Sequence, residues 1–182
     1  CSMLAQVIDE DGHITIPHFY DDVEEVPAAE REMIAQIPFD EKKYMEAIGV
    51  KALKGEKGYS TLERNSCRPS FDICGIWGGY TGEGSKTVLP SKAYAKVSCR
   101  LVPHQNHAVI SQLFVDYIQS IAPEYVQVKV TPMHGGEGYV CPITLPAYQA
   151  AEKGFAKAFG KKPLAVRRGG SIPIISDFEQ IL

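Results

Sequence analysis

The side chains in this sequence best suited to chemistry are Thr87 and Arg100, which flank a glycine-rich run and an alternating segment. Gly78, Gly79, Gly82 and Gly84 fall within seven residues, giving backbone that can bend sharply or approach a ligand closely. The segment from Ser91 to Pro103 then alternates. Ala93, Ala95, Val97, Cys99 and Leu101 share one face, and Lys92, Tyr94, Lys96, Ser98 and Arg100 share the other. A period of two predicts a half-buried strand with Arg100 on its polar side. There a guanidinium can fork onto a carboxylate, or form an ordinary surface ion pair. Thr87 and Ser171 offer hydroxyls, and Gly169-Gly170 offers backbone amides.

Other constellations are incomplete. Gly79 to Thr87 nearly spells a phosphate-binding loop, but Ser85 separates the glycine from Lys86, and the run opens a strand instead of a helix. Asp9-Glu10-Asp11-Gly12 is a turn without the later ligands of a calcium loop. His104 and His107 have metal-compatible spacing but no neighbouring carboxylate in sequence; a catalytic zinc needs three placed ligands and an open position. His134 beside Gly135-Gly136 reads as a surface-loop histidine. No serine sits in a G-x-S-x-G elbow, and no cysteine has a nucleophile's context. The expectation is no catalytic residue and no metal ligand in this chain.

Elements must position Thr87 and Arg100. Pro27 predicts the start of a helix running through Gln36, and Asp40 caps a second helix with Tyr44, Met45, Ala47 and Ile48 inward, closed by Gly49. Lys51 to Ser66 reads as a loop or excursion, and Pro69 to Ile76 as a short strand. After Asn106, Val109, Ile110, Leu113, Phe114, Tyr117, Ile118 and Ile121 recur at helical spacing until Pro123. Val126, Val128 and Val130 predict another strand. Thr144 or Pro146 opens a helix carrying Tyr148, Ala151, Phe155, Ala158 and Phe159, closed by Gly160, and a last helix follows Pro173. The order predicts an α+β fold.

Composition sets outer limits. The 182 residues carry a net charge of -3, giving no basic field for nucleic acid or membrane. No apolar run approaches the roughly 20 residues that span a bilayer. Five widely spaced cysteines without a C-x-x-C pair suit reduced thiols in the cytoplasm. The chain opens on what reads as a helix end and stops inside another helix, so an excised fragment is expected.

Gly75 to Pro90, Ser98 to Pro103 and Arg168 to Pro173, in that order, resemble the carnosinase-type dipeptidases among the aminoacylase and carboxypeptidase G-like zinc metallopeptidases. Ile14 to Pro17 and Arg64 to Pro69 fit more loosely. The resemblance implies a ferredoxin-like lid: an antiparallel sheet of four strands with two helices on one face, plus extra helices near the N-terminus. Residues 1–165 would be this lid and dimerisation domain without its first strand, which leaves an open sheet edge. Residues 166–182 would begin the return into a catalytic domain. Thr87 and Arg100 match lid residues that bind the substrate's C-terminal carboxylate, in some members reaching the partner subunit's active site. Gly170 and Ser171 match a pair lining the same pocket. The parent enzyme would be a homodimer hydrolysing dipeptides with zinc or manganese. Its metal ligands and catalytic glutamate would lie outside this chain, so the fragment itself would hold no metal and be inactive. The rival readings are a small-ligand-binding module and a purely structural dimerisation unit.

Overall fold

The main core forms where one long helix lies across the base of a hairpin. A computed structural model describes residues 1–167 and 174–181. Asn106 caps the helix α4 (His107–Ser120), its side-chain oxygen accepting from the backbone N–H groups of Ala108 and Val109 at 3.0 and 3.1 Å. Ile110 and Ile118 are buried, and Leu113, Phe114, Tyr117 and Ile121 pack beside them. Their spacing is the helical stripe read from the sequence.

That stripe faces a two-stranded antiparallel sheet, β1 (Ser70–Gly78) and β2 (Ala93–Arg100). Ser70 pairs with Arg100 at the base and Gly78 with Ala93 at the far end; a bulge at Cys74 shifts the register. Phe71, Val97 and Cys99 point inward, and Phe71 lies 5.8 Å from Phe114, ring to ring. Val7, Ile14, Ile16 and Phe19 complete this core from the N-terminal segment. Gln105 is fully buried beneath the sheet-to-helix turn. Its Oε1 accepts from Val102 N at 3.0 Å and its Nε2 donates to Phe19 O at 2.8 Å, tying the two segments together.

A smaller core of Val26, Ile34 and Cys67 organises the excursion between Phe19 and β1. It contains α1 (Ala28–Ala35), α2 (Glu41–Ile48) and α3 (Thr61–Ser66). The caps at Asp40 and Gly49 stand as expected. No residue of α2 is buried, however, and Ile48 is half exposed, so its expected inward face packs against little. The helix α3 lies inside the stretch read as a loop. Its signal is a capping box: Ser60 Oγ accepts from Glu63 N, and Glu63 Oε2 accepts from Ser60 N at 2.6 Å.

Two expectations change beyond α4. Residues 126–131 form neither helix nor strand, with Val128 and Val130 half-buried against the core, and they join no ladder among the described residues. Alternation supplied a buried side; it did not supply a paired neighbour. The helices α5 (Pro146–Phe159) and α6 (Ile174–Ile181) form, α5 closing at Gly160 in the left-handed region. The face of α5 predicted to be inward is open, with Phe155 stacked on Phe159 and both largely exposed. The α+β class holds; its sheet has two strands among the described residues.

Candidate functional site

Arginines in this chain meet different fates. Arg68 is buried, with Nε and Nη2 each 2.7 Å from the Glu56 carboxylate, and lies over the rings of Tyr20 at 5.2 Å and Tyr59 at 4.4 Å. Burial alone would lower its pKa; the bonds and charge of Glu56 outweigh that and raise it. Arg31 bonds Glu63, Arg64 donates to the Glu56 carbonyl and Arg167 bonds Glu30. Arg100 has no such partner among the described residues. It is exposed at the base of the hairpin, on the polar face with Ser70, Asp72 and Ser98.

The backbone beneath Arg100 is firmly placed. Its ladder partner Ser70 lies two residues from the locked Arg68. Cys99 points into the core, where burial, with a smaller contribution from Asp72, pushes the thiol up to about 11. Downstream, Gly138 bridges Pro103, and the loop of residues 132–140 docks on the start of α4. Glu137 Oε1 meets His107 Nδ1 at 2.8 Å and Asn106 Nδ2 at 3.2 Å, and the His107 bond holds the Glu137 carboxyl below its usual range. A Cβ on Gly135 would stand 2.8 Å from the His107 ring, so this close approach requires glycine. Sequence spacing paired His107 with His104; the fold parts them, since His104 turns to Glu24 at 3.4 Å. Among the described residues no three His, Cys, Asp or Glu side chains group as metal ligands.

Thr87 lies elsewhere. It is exposed in the loop beyond Gly78 and Ala93, where neighbouring Lys86 lies over the Tyr80 ring at 5.5 Å. A strand rises about 3.3 Å per residue, so the eight residues of β2 put roughly 23 Å between Ala93 and Arg100. Thr87 therefore belongs to the loop at the far end of the hairpin from the Ser70–Arg100 pair. Gly170 and Ser171 lie outside the described residues. What sequence reasoning missed is the Glu137–His107 clamp that seats the glycine loop beside this strand; thirty residues separate the pair, and no local spacing signals it.

Comparison with known proteins agrees with this hairpin-and-helix unit. The family described as "Peptidase dimerisation domain" matches residues 4–126, and the chain belongs to it. The Beta-Ala-His dipeptidase of Rattus norvegicus is 27% identical over 183 residues, covering 99% of this chain and 37% of that protein. The Cys-Gly metallodipeptidase dug1 of Schizosaccharomyces pombe is 27% identical over 184 residues, covering 100% of this chain and 39% of that protein. Among solved structures, human carnosine dipeptidase 1 superposes with a TM-score of 0.81 at 27% identity, over 99% of this chain and 39% of that one. The chain thus spans well under half the length of the relatives it matches.

Proposed function

We propose that this chain is the lid and dimerisation part of a metal-dependent dipeptidase, with Arg100 holding the free C-terminal carboxylate of a dipeptide. The observation that carries this reading is the unpaired Arg100 guanidinium on a rigid strand, where the chain's other described arginines are engaged. A free fork donor on a fixed backbone suits bidentate carboxylate recognition, and positioning of this kind is worth several kcal/mol of a reaction barrier. Residues 1–165 form the lid, and residues 166–182 begin the return to the catalytic part, with Gly170 and Ser171 lining the same pocket. The described residues offer no ligand set for a metal. The zinc or manganese ion that would activate water for peptide hydrolysis belongs to segments outside this chain.

The distance between Thr87 and Arg100 favours a homodimer. The base of one hairpin would serve one substrate, while the tip of its partner's hairpin brings Thr87 to it. The five cysteines are free thiols, consistent with a reducing cytoplasm.

Substitution tests the carboxylate role. In the full-length enzyme, Arg100→Ala should lower kcat/KM for dipeptides more than tenfold, with the metal content unchanged. An unaltered kcat/KM removes Arg100 from the site.

A further inference from the structure

The turn that carries the chain from Arg100 into α4 is held from two sides. From within, Gln105 Oε1 accepts from Val102 N at 3.0 Å, and Val102 O accepts from Gln105 N at 3.3 Å. From outside, the loop of residues 132–140 lies across it. A Cβ on Gly138 would stand 3.1 Å from both Pro103 N and Val102 C, so the two backbones are in direct contact. Within this turn His104 takes the left-handed region at φ 74°. A residue with a side chain keeps that conformation only where its surroundings impose it. No residue of the loop belongs to either apolar core. What fastens it is one carboxylate: Glu137 Oε1 accepts from His107 Nδ1 at 2.8 Å and from Asn106 Nδ2 at 3.2 Å. Asn106 is engaged at both ends. Its Oδ1 takes the Ala108 and Val109 N–H groups that open α4, which leaves Nδ2 facing Glu137.

We propose that Glu137 is a positioning residue: by fastening the glycine loop across the Val102–Pro103 turn, it fixes the direction in which Arg100 meets a substrate carboxylate. This role rests on the Arg100 reading above and adds what holds that strand end still. Arg100 is the last residue of β2, and among the described residues its ladder runs only to β1. Movement of the residues that follow therefore passes directly to it. A guanidinium that grips a carboxylate with two parallel N–H groups needs both of them aimed, so a strand end free to tilt binds less tightly. The pair Glu137 and His107 supplies the aim from thirty residues away, without touching the substrate.

The test uses the full-length enzyme, with KM and kcat for a dipeptide and the urea midpoint measured on each variant. Glu137→Ala should raise KM about fivefold or more while kcat stays within about twofold of wild type. Glu137→Gln keeps an oxygen that accepts from both donors and should restore KM to within about twofold. Asn106→Asp still caps α4, because Asp and Asn cap about equally well. It has no N–H for Glu137 and sets a second carboxylate beside it, so KM should rise as it does in Glu137→Ala. In an Arg100→Ala background, Glu137→Ala should change KM by less than about twofold, because the side chain it aims is gone. A rise of full size in that background overturns the positioning role, since Glu137 would then act through something else. A lowered urea midpoint with an unaltered KM in Glu137→Ala overturns it too, leaving a staple for α4 only. If Arg100→Ala itself leaves kcat/KM unaltered, the carboxylate reading falls and this role with it. If Arg100→Ala lowers kcat/KM while Glu137→Ala leaves KM unaltered, only the positioning role falls.

Discussion

Arg68 precedes β1 and Arg100 ends β2, both at the base of one hairpin, and the two side chains meet opposite surroundings. Around Arg68 the chain spends its polar groups on itself. Glu56 takes two hydrogen bonds from the guanidinium, and Tyr20 and Tyr59 stack against it. Tyr59 in turn donates to Glu25 at 3.0 Å and carries Arg31 over its ring at 5.0 Å, while Tyr20 stacks on His13 at 4.0 Å. Around Arg100 nothing is taken up: the strand is fixed, the side chain is open, and the apolar far half of the hairpin is bare. The difference teaches that the excursion of residues 21–69 stabilises the base of the hairpin, while the hairpin itself leaves Arg100 and its distal apolar side chains open. A guanidinium enclosed by its own chain is structural; one left open on a rigid strand is available.

Breaking the enclosed side should cost most. Removing one partner of a buried, bidentate ion pair leaves the other charge uncompensated, typically a loss of 3–5 kcal/mol. Arg68→Ala should therefore lower the stability of the chain by about that much in urea unfolding, leaving the half-buried Glu56 with only His13, 3.4 Å away, beside its carboxylate. A smaller effect comes from the cap of α3, which sets the approach to Arg68. Ser60→Ala removes the hydroxyl that accepts from Glu63 N, and a lost cap costs about 1 kcal/mol. The smallest belongs to the open side. Arg100→Ala should change stability by less than about 0.5 kcal/mol, as exposed positions without partners do. The comparison is sharpened if this variant unfolds at the same urea concentration as wild type. It breaks if Arg100→Ala destabilises the chain as much as Arg68→Ala does.

Much of the local structure was legible. Asn106 before an apolar stripe, Asp40 before α2, and Gly49 and Gly160 after their helices each satisfy specific backbone groups, so local chemistry fixes them. The Ser60–Glu63 box was equally local but sat in a charged stretch with a helix of six residues, too short to show periodicity. The strand expected from Val126 to Val130 had the right alternation; whether such a segment enters a ladder depends on a neighbour that the segment does not contain. The Phe155 and Phe159 stripe on α5 likewise marks a face for burial without naming its cover.

By itself, then, the sequence determined the α+β class, the glycine-rich hairpin and the α4 stripe, because these depend on residue type and short-range spacing. Only the tertiary structure decided which of the described arginines is free, that His107 pairs with Glu137 and not with His104, and that Thr87 lies in the loop at the far end of the hairpin from Arg100. Those outcomes depend on distances between residues far apart in the chain, set by how α4, the excursion and the hairpin pack together.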